Sequence, residues 1–197
     1  ASMTQLGGKT PGWGYTESIT VDGNLALATP GGRQGTVVAF NKQTGAVVWQ
    51  SKQFTDGAQY ASVLPVTHNG SRQYIQLTKN SLVGLDARNG NVLWKSGWGG
   101  RTAVIPTPIF SNGKVYIASG YSAGSKLVNL GAGNRASDVW ANKVMKNPPN
   151  LWTIGDDRDK YQGNFTPGDE PRIMPGALTS RWFGFGIFSG EIDEIIE

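Results

Sequence analysis

The 197-residue sequence predicts an all-β chain made of four-stranded antiparallel units, and three observations carry that reading. The first is composition. With 28 Gly, 7 Trp and 38% apolar residues, the chain suits short strands and tight turns better than long amphipathic helices. The second is a repeated hairpin: AFNKQTGAVVW, from Ala39 to Trp49, returns as GLDARNGNVLW, from Gly84 to Trp94, so that Trp49 and Trp94 stand 45 residues apart (94 − 49), as do Gly45 and Gly90. The third is a set of turn dipeptides, Asp22-Gly23, Asn69-Gly70 and Asn112-Gly113, separated by 47 and 43 residues. A strand-and-turn period of this size matches the ~40–50-residue unit of propeller blades. Together they predict a partial β-propeller of about three four-stranded antiparallel blades, with the first strand of each nearest a central channel and the tryptophan strand at the rim.

Taken in order, residues Ala1 to Thr10 read as an irregular lead-in. The first blade spans about 13–50. Glu17 to Val21 and Asn24 to Thr29 form a hairpin around Asp22-Gly23, Pro30-Gly31-Gly32 interrupts the chain, and Thr36 to Phe40 with Ala46 to Trp49 completes the set. The second blade, about 58–97, repeats the plan with Ser62 to Thr67, Gln73 to Thr78 and the hairpin ending at Trp94. The third, about 102–143, contains Thr107 to Phe110 and the strand Lys114 to Ser119, rich in β-branched and aromatic residues. Trp140 falls 46 residues after Trp94, although the hairpin before it, Lys126 to Val139, lacks the Asn/Asp-to-Gly spacing. Pro148-Pro149 breaks the pattern, which divides the chain into residues 1–147, carrying the blades, and 148–197, a linker and β-rich segment.

The hairpin residues resemble a known family. Ala39, Asn41, Thr44, Gly45 and Trp49, and again Gly84, Asp86, Asn89, Gly90 and Trp94, are similar to the tryptophan-docking motif of quinoprotein-type propellers. Gly12 to Ser18 (GWGYTES), Arg72 to Thr78 (RQYIQLT), Arg101 to Pro108 (RTAVIPTP) and Ser119 to Gly124 (SGYSAG) resemble segments of secreted bacterial pyrroloquinoline-quinone-like repeat propellers. The resemblance covers roughly residues 6–146 and implies a periplasmic or extracellular protein, itself a fragment of a longer propeller. Toward the C-terminus, Leu151 to Gly155 and Gly190 to Ile195 are similar to the last strands of a laminin-G or concanavalin-type jelly roll, so that segment is expected to be irregular or jelly-roll-like.

The chemistry the sequence offers is narrow. The formal charge of +4 is spread over single Lys and Arg residues, with no basic run to serve as a nucleic-acid footprint. No apolar run approaches the ~20 residues of a membrane-spanning helix. The absence of cysteine removes disulfides, thiolate metal sites and cysteine nucleophiles. His68 is the single histidine and reads as a solvated loop residue, which leaves no zinc cluster to build. Asp156, Asp157, Asp159, Asp169 and Glu170 form an acidic run without the Gly and Glu placement of a calcium loop. Trp13, Tyr15, Tyr60 and Tyr121 are candidates either for a ligand face or for blade packing. Glu17, Arg101 and Thr102, at or just before predicted inner strands, are the candidate contact surface.

Quinoprotein enzymes hold their cofactor with Ca²⁺, an Asp base and often adjacent cysteines. This sequence has no cysteine and offers no match for the calcium ligands. The resemblance therefore carries the scaffold and not a catalytic, cofactor or metal set. The expectation is a non-catalytic propeller scaffold for binding or assembly, with a protein or carbohydrate partner and a tendency to self-associate or to need further blades. The alternatives are a quinoprotein-like dehydrogenase using pyrroloquinoline quinone and calcium through blades beyond this sequence, and a carbohydrate or surface-adhesion protein.

Overall fold

The computed structural model describes residues 2–142. The acidic run and the jelly-roll-like segments lie outside the described residues. Twelve strands form three separate four-stranded antiparallel sheets, each joined in sequence order. The first sheet holds β1 (Thr20–Asp22), β2 (Leu25–Ala28), β3 (Val38–Asn41) and β4 (Val47–Gln50). The second holds β5 (Leu64–His68), β6 (Ser71–Leu77), β7 (Ser81–Asp86) and β8 (Val92–Gly97), and the third β9 (Ile109–Ser111), β10 (Lys114–Ser119), β11 (Gly124–Leu130) and β12 (Ala136–Asn142). The described residues are all-β and form three four-stranded propeller blades.

The turn chemistry explains most strand ends. Asn69-Gly70 and Asn112-Gly113 each carry two positive φ angles, as the tight hairpin turn requires. The first hairpin differs from its sequence expectation. Asp22 pairs with Leu25, so the loop is Gly23-Asn24 and Asp22 ends the strand. That one-residue offset frees its carboxylate to reach the next blade. The first strand is also shorter than predicted, starting at Thr20 rather than Glu17, because Glu17 and Ser18 engage side chains and backbone elsewhere instead of pairing.

Register makes the three blades equivalent. One row across each sheet reads Thr20–Leu27–Ala39–Trp49, Leu64–Ile75–Gly84–Trp94 and Ile109–Tyr116–Leu127–Trp140. The neighbouring row, whose side chains point to the other face, reads Val21–Ala26–Phe40–Val47, Pro65–Tyr74–Leu85–Val92 and Phe110–Val115–Val128–Asp138. Between the two rows every outer strand carries a register shift at the same place, after Ala39, Gly84 and Leu127. Trp140 thus occupies the position of Trp49 and Trp94 even though its hairpin lacks the motif. A short 3₁₀ turn, Ala132–Asn134, replaces the Asn/Asp-to-Gly turn there.

Blades stack by placing the tryptophan row of one against the opposite row of the next. Leu27, Ala39 and Trp49 pack with Tyr74, Leu85 and Val92 between the first and second blades. Ile75 and Trp94 pack with Val115, Val128 and Phe110 between the second and third. The lead-in is more ordered than expected. Leu6 packs on Ala28 and Val38, and Gln50 Nε2 donates to the carbonyls of Leu6 (2.8 Å) and Gly35 (2.9 Å). The segment approaches so closely that a Cβ on Gly32 would lie 2.3 Å from the Gly7 carbonyl oxygen.

Candidate functional site, the blade-to-blade docking surfaces

The hairpin motif first builds a turn. Asn41 Oδ1 accepts from the amides of Gln43 (2.9 Å) and Thr44 (3.0 Å), and Gly45 N–H returns to the Asn41 carbonyl (2.8 Å). Thr44 Oγ1 accepts from Ala46 N–H at 3.3 Å. In the second blade Asp86 Oδ1 accepts from Arg88 N–H (2.9 Å), Gly90 N–H returns to the Asp86 carbonyl (2.8 Å), and Asn89 Oδ1 accepts from Asn91 N–H (2.9 Å). These are side-chain-capped turns, the reason Asn, Asp and Thr stand where they do.

The turn then receives a ring from the preceding blade. Trp49 Nε1 donates to the Ala87 carbonyl at 3.1 Å, and its six-membered ring lies where a Cβ on Gly90 would sit, 2.4 Å from Cε3. Any side chain at Gly90 would evict the indole. Trp94 behaves differently. It folds back over its own sheet, so close to Gly84 that a Cβ there would be 2.1 Å from Nε1. Its Nε1 donates to Gln73 Oε1 (2.8 Å), and Gln73 Nε2 passes the contact on to Asn134 Oδ1 (2.8 Å) in the third blade's turn. Opposite Trp140 stands Leu127, and Trp140 is only half-buried, tilted 56° against Tyr116 at 6.1 Å. Over Gly84 the indole is 4% exposed and over Ala39 8%, while Trp140 lies on the last described blade.

Charged side chains also bridge each interface, as an ion pair across the first and as hydrogen bonds from a pair within the third blade across the second. Between the first two blades Asp22 accepts from Arg72 Nε (2.9 Å) and Nη2 (2.8 Å) and from Tyr74 Oη (2.9 Å). Hydrogen bonding from Arg72 holds the Asp22 carboxyl below its ordinary range, and burial raises the Tyr74 phenol, with the Asp22 contact adding to it. Between the second and third blades the buried Lys126 Nζ donates to Ser96 Oγ (2.7 Å), to the Gly97 carbonyl (2.8 Å) and to Asp138 Oδ2 (2.6 Å), while Ser96 Oγ donates to Asp138 Oδ1 (2.8 Å). Burial works to raise the Asp138 carboxyl, but the bonds from Lys126 and Ser96 together carry it down. A third contact repeats along the lead-in segments: Ser18 N–H donates to Ser62 Oγ (3.0 Å) and Ser62 N–H to Thr107 Oγ1 (3.3 Å).

Glu17 turns inward, its Oε1 accepting from Thr29 N–H at 2.5 Å, and burial raises its carboxyl pKa. Arg101 and Thr102 stand exposed. Of the candidate aromatics, Trp13 and Tyr60 meet at 5.7 Å, Trp13 remaining 60% exposed; Tyr15 Oη donates to the Pro30 carbonyl, and Tyr121 sits in a turn at φ +57°. His68 is not a solvated loop residue: its half-buried ring stands edge-on to Phe110 at 5.9 Å, with Asn69 Nδ2 at 3.1 Å. Sequence reasoning passed over Gln73, Lys126 and Asp56. Asp56 Oδ2 accepts from Thr78 Oγ1 (2.5 Å) and Ser81 Oγ (2.6 Å), while its carbonyl accepts from Gly32 N–H and Thr36 Oγ1, so it ties the first blade to the second. Polar residues within strands that read as apolar runs, such as Lys126 and Gln73, were the available signal.

Pyrroloquinoline quinone with calcium does not fit the described residues. No group of three or more His, Cys, Asp or Glu among them is placed to hold a metal ion. The carboxylates of Asp22, Asp56, Asp86 and Asp138 lie apart along the stack, each engaged by its own cationic or hydroxyl partners.

Repeated blades, docked tryptophan by tryptophan, define a repeat-propeller protein. The chain matches the family model described as outer membrane protein assembly factor BamB over residues 7–157, and it belongs to that family. Among solved structures it is similar to BamB from Moraxella catarrhalis, with 18% identity and a TM-score of 0.46 over 65% of this chain and 36% of that one. The chain thus spans about a third of that protein's length. No curated protein matches it. Among the described residues no helix is long and apolar enough to cross a membrane.

Proposed function

We propose that the chain is a non-catalytic propeller scaffold of an exported bacterial protein, acting in assembly at the outer membrane through contact with protein partners. On this reading residues 1–147 carry the blades of a longer propeller and the protein works on the periplasmic side. The observation that carries the reading is the family match over residues 7–157. The contacts that Asp22, Arg72 and Lys126 make from one blade to the next support a repeat scaffold. The exposed Trp13 ring, backed by Tyr60, is the kind of aromatic anchor that protein contacts use.

The test is a photoreactive amino acid at position 13 in chain directed to the periplasm of a Gram-negative host. Crosslinks to an outer-membrane protein or to a protein that assembles one are the expected result. Crosslinking to neither, or dye-linked alcohol or sugar oxidation by purified chain supplied with pyrroloquinoline quinone and Ca²⁺, overturns the reading.

A further inference from the structure

The inner ends of the two blade interfaces are built from opposite chemistry. Thr29 stands two residues beyond Leu27 on one face of the first blade, and Gln76 two beyond Tyr74 on the facing side of the second, so Thr29 meets Gln76 as Leu27 meets Tyr74. Thr20 Oγ1 donates to the Val63 carbonyl (2.8 Å) and Ser18 N–H to Ser62 Oγ (3.0 Å), which sets Glu17 beside Ala61 at the same end. One interface further on, the counterparts of Glu17, Thr29 and Gln76 are Ala61, Leu77 and Ile117, all buried in a single apolar cluster. Hydrocarbon at the second interface is replaced at the first by a carboxylate, a hydroxyl and an amide.

Each of these polar groups is fixed in a way that leaves one oxygen over. Thr29 N–H holds Glu17 Oε1 and leaves Oε2. Gln76 Nε2 donates to the carbonyls of Ala61 (2.9 Å) and Leu77 (3.2 Å), which orients the amide and leaves Oε1. Glu17 Oε2, Thr29 Oγ1 and Gln76 Oε1 are shut off from solvent without a hydrogen-bond partner. The Thr29 hydroxyl lies near enough to the carboxylate to lower its pKa against the burial that raises it, yet does not reach hydrogen-bond geometry. Among the described residues no Lys, Arg or His pairs with Glu17. Its titratable neighbours are two phenols, Tyr15 on its own segment and Tyr60 on the second blade's lead-in, whose Oη takes the Trp13 N–H.

We propose that Glu17 Oε2, Thr29 Oγ1 and Gln76 Oε1 bind one sodium ion between the first two blades. The donors are all oxygen, with no nitrogen or sulfur, which selects a hard cation. One carboxylate balances one positive charge, whereas a divalent ion would bring a second buried charge with nothing opposite it. The smaller alkali ion suits a site enclosed by packed strands. A water molecule would complete the hydrogen bonds but leave the buried carboxylate without a counter-charge. The inference rests on this interface alone and does not depend on the assembly role.

Thermal unfolding of the full chain at neutral pH, in sodium chloride and in tetramethylammonium chloride at equal ionic strength, tests it. Sodium at about tenfold its dissociation constant should raise the melting temperature by about 3–6 °C over the bulky cation. The difference should vanish in Glu17→Gln, which puts an amide donor where the ion would sit, and in Gln76→Ile, which copies the second interface. In tetramethylammonium Glu17→Gln should be the more stable of the two chains. For the parent the difference should also vanish in acid, where a proton takes the carboxylate. Equal melting in both salts at neutral pH overturns the proposal, since a proton or a water then completes the cluster. A sodium effect that both variants retain overturns it too.

Discussion

The two blade interfaces solve one packing problem with different chemistry. Between the first and second blades the indole of Trp49 crosses directly, its N–H on the Ala87 carbonyl and its face on Gly90. Between the second and third, Trp94 stays over Gly84 and Gln73 bridges the remaining distance to Asn134. A single methyl group separates Ala39 from Gly84, and it goes with a ring that reaches across instead of lying back. Register and backbone are what repeat. The polar partner is fitted locally to whatever the ring leaves unsatisfied, as a buried N–H demands.

Removing the rings should give the widest contrast. Trp94→Ala is expected to cost about 3–5 kcal/mol, since it empties the middle of the second interface and strands Gln73. Trp140→Ala, at a half-buried position, should cost about 1–2 kcal/mol. Urea unfolding measures both, and equal losses would undo the claim that burial decides how much each ring contributes.

The glycines come next. Gly45→Ala and Gly90→Ala share the same backbone strain, about 1 kcal/mol for a left-handed residue. Only Gly90→Ala also meets a ring, adding about 1–3 kcal/mol of overpacking. If monomeric protein loses the same stability from both, Trp49 is not seated as described.

The ion pairs should separate by burial. Asp138→Asn leaves Lys126 buried without its counter-charge, a loss of about 1–2 kcal/mol, less than for a wholly buried pair because Asp138 faces solvent. Lys126→Met should recover most of it in the double variant. At the other interface the partly exposed Asp22–Arg72 pair is worth at most about 1 kcal/mol after screening. Its folded carboxyl lies below the unfolded value, so its contribution is present above the unfolded pKa and fades as pH falls through the folded one.

Glu17 runs the other way and gives the smallest effect. Its carboxyl is raised on folding, so ionisation works against the folded state. Stability therefore falls as pH rises from the unfolded pKa through the folded one. Glu17→Gln should be slightly more stable than the parent at neutral pH and indistinguishable from it in acid. Stabilisation that persists at acid pH would point to packing instead.

The repeat was legible because Trp49, Trp94, Gly45 and Gly90 recur at one spacing, and turn chemistry is a local matter. The third blade was read less fully. Equivalence there lies in the pairing of Leu127 with Trp140, a long-range register that a three-residue 3₁₀ turn hides from inspection of the hairpin. Asp22 shows how little separates turn from strand: one residue of offset made it an interblade acceptor. The ordered Leu6 segment could not be read either, because its anchor is Gln50, 44 residues away, and its fit depends on two glycines, Gly7 and Gly32, touching across the fold. For Glu17, position near an inner strand suggested display. The backbone of Thr29 captured the carboxylate instead.

The shared register shift after Ala39, Gly84 and Leu127 has a consequence for life in a crowded compartment. Each shift lies in the outermost strand, the edge along which a flat sheet would recruit extended segments of other chains. Doubling two residues against one bends that edge and breaks the even spacing of free N–H and C=O groups that such recruitment needs. The same extra residue that aims the tryptophan at its neighbour therefore also spoils the rim as a template for fibril growth.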